Sequence, residues 1–92
     1  MRNIVTTNQY KKDLKKARKS NLPEEELDDI IKKLAEDIPL PAKNHDHALT
    51  GNLKGFRECH IKPDWLLIYE KVDFEDLNIL SLVRTGSHSE LY

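Results

Sequence analysis

The chain has a single cysteine among 92 residues, Cys59, so neither an intrachain disulfide nor a paired-cysteine metal knuckle can form. A reducing compartment and no disulfide-linked partner are expected. No apolar run approaches the roughly 18 residues that span a bilayer, and the start, M-R-N-I-V-T-T-N, lacks the apolar stretch of a signal peptide. The reading is therefore cytoplasmic, with no membrane partner. Apolar residues are also scarce, at 38%, beside 34% charged residues. Leu and Ile nevertheless recur periodically, which favours a small core under a solvated surface over disorder. The length suits one domain over residues 1–92, and neither an internal repeat nor a low-complexity tract breaks it.

Net charge is only −1, but the sign is segregated. Residues 1–20 carry seven cations (Arg2, Lys11, Lys12, Lys15, Lys16, Arg18, Lys19) against Asp13 alone, and residues 21–40 carry seven carboxylates against Lys32 and Lys33. A basic helix face can bind a polyanion despite the neutral total, because charges beyond a Debye length are screened.

Tyr10, Leu14 and Ala17 mark one helix after a short apolar start at Ile4 and Val5 that suits an edge strand. Leu27, Ile30, Ile31 and Leu34 mark a second, opened by Pro23 and three glutamates and stopped by Pro39 and Pro41. Residues 39–55 read as an irregular loop carrying His45 and His47. Phe56 to Ile61 alternates as a half-buried strand, Trp65 to Tyr69 is a continuous apolar strand, and Leu77 to Val83 is a third, followed by a tail from Arg84. The predicted class is α+β, with an N-terminal helical hairpin packed on one face of a small antiparallel sheet.

The C-terminal half concentrates proton carriers, cations and rings, a combination suited to cutting RNA without a metal. Strand parity sets Arg57, Cys59 and Ile61 on one side and Phe56, Glu58 and His60 on the other. His60 is then expected away from the helices with Asp64 near it as a polarising carboxylate, while Arg84 and His88 fold back over the same face. Trp65 is predicted half in the core and half open as a platform for a base, and Lys54 is grouped with Trp65 and Tyr92 as substrate-binding. A lone histidine is more often a surface residue than a catalyst, and His45 is read as a loop residue.

The strings D-H-A-L-x-G, G-F-R-E-C-H-I-K-P-D-W-L-L-I-Y and R-T-G-S-H-S-E-L-Y resemble those of YafQ-type toxins, a histidine-bearing branch of the RelE/ParE superfamily. The resemblance implies a RelE-like, microbial-ribonuclease-like fold and a toxin of a type II toxin–antitoxin system. Such a toxin is a ribosome-dependent messenger-RNA endoribonuclease that inhibits translation, with a cognate antitoxin, the ribosome and mRNA as partners. It also implies functional roles for His47, His60, Asp64, Trp65, Arg84, His88 and Tyr92, and no cofactor. Two alternatives stand beside it: a metal-dependent hydrolase using the four histidines and Asp64, for which no HxxxH or HExxH spacing fixes ligands, and a non-catalytic RNA- or protein-binding module.

Overall fold

The computed structural model describes residues 1–92. Strand β1 (Asn3–Thr6) leads into helix α1 (Asn8–Lys19), then α2 (Glu24–Ala35), a short 3-10 turn at Ala42–Asn44, and β2 (His47–Ala48). A second 3-10 turn at Gly51–Leu53 precedes β3 (Arg57–Lys62), β4 (Trp65–Phe74), β5 (Leu77–Gly86) and α3 (His88–Leu91).

The antiparallel three-stranded sheet expected from the sequence is not what the chain builds. The five strands form one mixed sheet in the order β1-β5-β4-β3-β2, and β1 runs parallel to β5, with Ile4 opposite Leu80 and Thr6 opposite Leu82. Thr7 fixes that junction, since its hydroxyl donates to the Val83 carbonyl (2.8 Å) and accepts from the Tyr10 N–H at the start of α1. At the other edge the loop expected over residues 39–55 contributes β2, where His47 pairs with Glu58. The tail expected from Arg84 is strand as far as Gly86 and then turns into α3.

Helix α2 stops at Ala35, well before the prolines. Asp37 takes a left-handed φ of 57° and the Ile38 N–H returns to the Lys33 carbonyl, which closes the helix end. The core joins Tyr10 and Ala17 of α1 and Leu27, Ile30, Leu34 and Ala35 of α2 to Cys59, Ile61, Trp65, Leu67, Tyr69, Leu80 and Leu82 of the sheet. The helices are thus spent on the face that holds Cys59 and Ile61. By parity Glu58 and His60 face the other way. No helix is long and apolar enough to cross a membrane.

Two register shifts shape the open face. One lies between His60 and Lys62 against β4, and the other between Ile68 and Tyr69, where β5 carries the extra residue. The second shift returns Thr85 to the helix side beside Leu67 and leaves Arg84 opposite Ile68. One row across four strands therefore reads Arg84, Ile68, Glu58, His47, and the next reads Gly86, Leu66, His60.

Candidate active site

His60 stands in the middle of the open face with its ring centroid 5.2 Å from His45, 5.6 Å from His88 and 6.5 Å from His47. His45, read from the sequence as a loop residue, does lie in the loop before β2, and that loop brings its ring beside His60. His45 takes a left-handed φ of 45° at the end of the Ala42–Asn44 turn, with its N–H bonded to the Ala42 carbonyl. Asn44, buried beneath, donates to the His60 carbonyl at 2.7 Å and ties the histidine loop to β3. Asp46 secures the same loop from the other side, accepting from the Tyr69 hydroxyl and from Arg57 Nε.

Glu58 was not singled out from the sequence, although parity had set it on the face of His60. It is 5% exposed, with Oε1 3.6 Å from His47 Nε2 and 3.8 Å from His60 Nε2, and its Oε2 accepts from the Tyr92 hydroxyl. A buried carboxylate needs a compensating donor, and here the Tyr92 hydroxyl supplies it while two imidazoles stand just beyond hydrogen-bond distance. Burial, then Glu58, pushes the Tyr92 hydroxyl up to about 12, so it remains a donor. Burial also lowers the His60 pKa below its ordinary value; Glu58 opposes this, while His45, His88 and His47 reinforce it. His60 is consequently neutral at pH 7 and free to accept a proton.

Asp64 does not support His60, as had been expected. The Pro63–Asp64 turn carries its carboxylate to the start of α3, where Oδ1 accepts from the His88 N–H (2.9 Å) and lies 2.7 Å from His88 Nδ1. The His88 N–H and then its ring hold the Asp64 carboxyl below the usual range. A carboxylate only accepts, so Nδ1 carries hydrogen and Nε2 is left for chemistry. His47 is fixed in the same sense, its Nδ1 donating to the His45 carbonyl at 2.6 Å. Helix α3 is opened by a capping box between Ser87 and Glu90, and Gly86 admits it, since a Cβ there would meet Glu90 Oε1 at 3.1 Å.

Three other expected positions fall elsewhere. Trp65 is 1% exposed, with its indole N–H donating to Thr85 Oγ1 at 2.9 Å, and no face is open for a base to stack on. Arg84 turns to α1, where Asp13 accepts from its Nε and Nη2 at 3.0 Å each. Lys54 is exposed beyond the Gly51–Leu53 turn and lines none of the clefts around the histidines. The Tyr92 ring, 61% exposed, does remain available. No three histidine, cysteine or carboxylate groups converge closely enough to grip a metal ion.

Residues 2–92 match the family described as the bacterial toxin of type II toxin-antitoxin system, YafQ. The chain belongs to the YafQ family. The mRNA interferase toxin YafQ of Escherichia coli K12 is 39% identical over 99% of this chain and 96% of its own length. Among solved structures, the metal-bound toxin from Helicobacter pylori superposes with a TM-score of 0.90 at 46% identity, each chain covered in full. The toxin of the E. coli DinJ-YafQ toxin-antitoxin complex gives 0.85 at 39%, covering 99% of this chain and 97% of its own. By the name of its curated members, YafQ is a family of mRNA interferases, which are endoribonucleases.

Proposed function

We propose that this YafQ toxin cleaves messenger RNA on the ribosome by general acid–base attack of a ribose 2′-OH, and that a cognate antitoxin restrains it. The observation that carries the reading is the His60–His88 pair. Two imidazoles 5.6 Å apart sit beside different carboxylates, one ring held neutral by burial and the other oriented through Nδ1. His60 takes the 2′-OH proton as the O2′–P bond forms, and His88 Nε2 protonates the departing O5′ as the P–O5′ bond breaks. The products are a 2′,3′-cyclic phosphate and a 5′-hydroxyl.

Asp64 orients the acid, and Glu58 stabilises charge on His60 after proton transfer. His47 stabilises the phosphorane-like transition state, and Arg84, held by Asp13 on α1, fixes the end of β5. Trp65 serves from beneath, fixing Thr85 and the end of β5, and Tyr92 covers the Glu58 side of the site. Lys11, Lys12, Lys15 and Lys19 on α1 have no carboxylate partner, whereas Lys16 pairs with Glu90 and Arg18 with Glu24. This unneutralised helix is the surface we assign to ribosomal RNA, and to an antitoxin of the kind that DinJ is for the E. coli toxin.

Primer extension on translating ribosomes tests the reading. New 5′ ends should appear with the wild type, vanish when the cleavage point carries a 2′-deoxy sugar, and fall by about 10²–10⁴ with folded His88→Ala. Full activity of that variant overturns the acid assignment. Cleavage that stops in excess chelator would instead favour a metal-dependent route, and "metal-bound" is how the H. pylori relative is described.

A further inference from the structure

We propose that the cleft between the Ala42–His47 segment and the β3–β4 turn is a second nucleotide subsite, in which Lys43 and His45 hold the phosphate next to the scissile one. The inference rests on the ribonuclease reading above and extends its substrate beyond the reacting bond. The cleft has a volume of about 970 Å³, at the upper end of the usual few hundred to 1,000 Å³ for small-molecule sites, which is room for a nucleotide. It contains His47 and His60 but not His88 or Asp64. A strand whose reacting phosphate lies between His60 and His88 therefore continues, on the His60 side, into this space.

Charge in the cleft favours an anion. Its two carboxylates are engaged: Glu26 pairs with Lys62 at 2.8 Å, and Asp46 is held by Tyr69 and Arg57. Lys43 is exposed and has no carboxylate partner. His45 differs from the other three histidines in the same way, because His47 and His60 face Glu58 and His88 faces Asp64, whereas no carboxylate lies within ion-pair distance of His45. Its left-handed backbone is an uncommon state for a residue with a Cβ, and it is maintained here by three separate hydrogen bonds, from its own N–H, from Asn44 to β3, and from His47 to its carbonyl. What that conformation achieves is to bring a free imidazole to the mouth of the cleft beside His60.

The test uses ribosomes programmed with an mRNA carrying a neutral methylphosphonate at the phosphate on one side or the other of the cleavage point, under single turnover. Lys43→Gln/His45→Gln should raise the half-saturating toxin concentration about tenfold, as expected for loss of charge-assisted phosphate bonds, with the maximal rate within about twofold. His45→Arg should keep wild-type affinity. In the wild type one methylphosphonate position should weaken binding about tenfold, and in the double variant the same position should cost nothing further. Equal losses in both proteins, or no change in half-saturation, overturn the subsite while leaving the nuclease reading intact. Absence of any wild-type cleavage overturns both. Thermal unfolding at the wild-type midpoint confirms that the exposed substitutions leave the fold unchanged.

Discussion

Asp13→Ala should be among the most damaging single changes outside the apolar core, although the residue lies in a run of lysines. Its carboxylate is 9% exposed and accepts from Arg84 Nε and Nη2 (3.0 Å each), from the Thr85 N–H (3.2 Å) and from Gln9 Nε2 (3.1 Å). Removing one partner of a fully buried ion pair costs about 3–5 kcal/mol. Arg84 is 34% exposed and can rehydrate, so about half of that applies. The Thr85 N–H cannot rehydrate as easily, since Thr85 is 2% exposed, and an unpaired buried donor adds about 1–3 kcal/mol. The expected loss is about 3–5 kcal/mol, read as a lower midpoint in urea unfolding at constant slope. Burial would raise the Asp13 pKa, but the bonds from Arg84, Gln9 and Thr85 outweigh it and leave the folded value below the ordinary 3.8. A depressed carboxylate contributes stability above its unfolded pKa and loses it as pH falls through the folded one. The gap between wild type and variant should therefore be constant near neutrality and narrow below about pH 4. A loss under about 1 kcal/mol, or a gap indifferent to acid, would refute the claim that this pair anchors α1 to the end of β5.

Trp65→Phe should cost about 1–3 kcal/mol, because Thr85 loses the indole donor and the site loses volume, while half-saturation with RNA stays unchanged; the reverse pattern in denaturation and single-turnover assays would restore a stacking role. Asp64→Asn keeps an acceptor for the His88 N–H but removes the charge beside its ring, and the maximal cleavage rate should fall about tenfold with half-saturation unaltered. An unchanged rate would remove Asp64 from the site. The acid limb of the cleavage profile should lie below the ordinary 6.5 of histidine, since falling pH must protonate a His60 whose pKa is depressed. Glu58→Gln removes the group that raises that pKa, so the limb should move lower still and the plateau rate should drop; a limb that moves upward contradicts the Glu58–His60 pairing.

What the sequence made legible were the faces of single elements, and what escaped it were pairings between them. Leu27, Ile30 and Leu34 announce a buried helical stripe because helical period alone decides which side they share, and Cys59 and His60 separate to opposite faces for the same kind of reason. Ile4 and Val5 carry no signal that their edge will run parallel to a strand more than 70 residues away, so the mixed sheet was invisible. Trp65 begins an apolar run buried throughout, and that run was itself a reason to expect the indole inside. The polar residues were harder. Asp13 reads as one acid among lysines until Arg84 arrives from 71 residues on, and Asp64 reads as a partner for His60 until α3 brings His88 nearer. Both outcomes depend on the two register shifts, which re-aim Arg84 and Thr85 on β5 and end β3 just past His60. A bulge adds one residue to one strand and leaves no compositional trace, yet it changes which side chains meet across the sheet. Chemistry assembled at strand ends inherits that sensitivity, which is why the kinds of residue in this site could be read from the chain while the pairs they form could not.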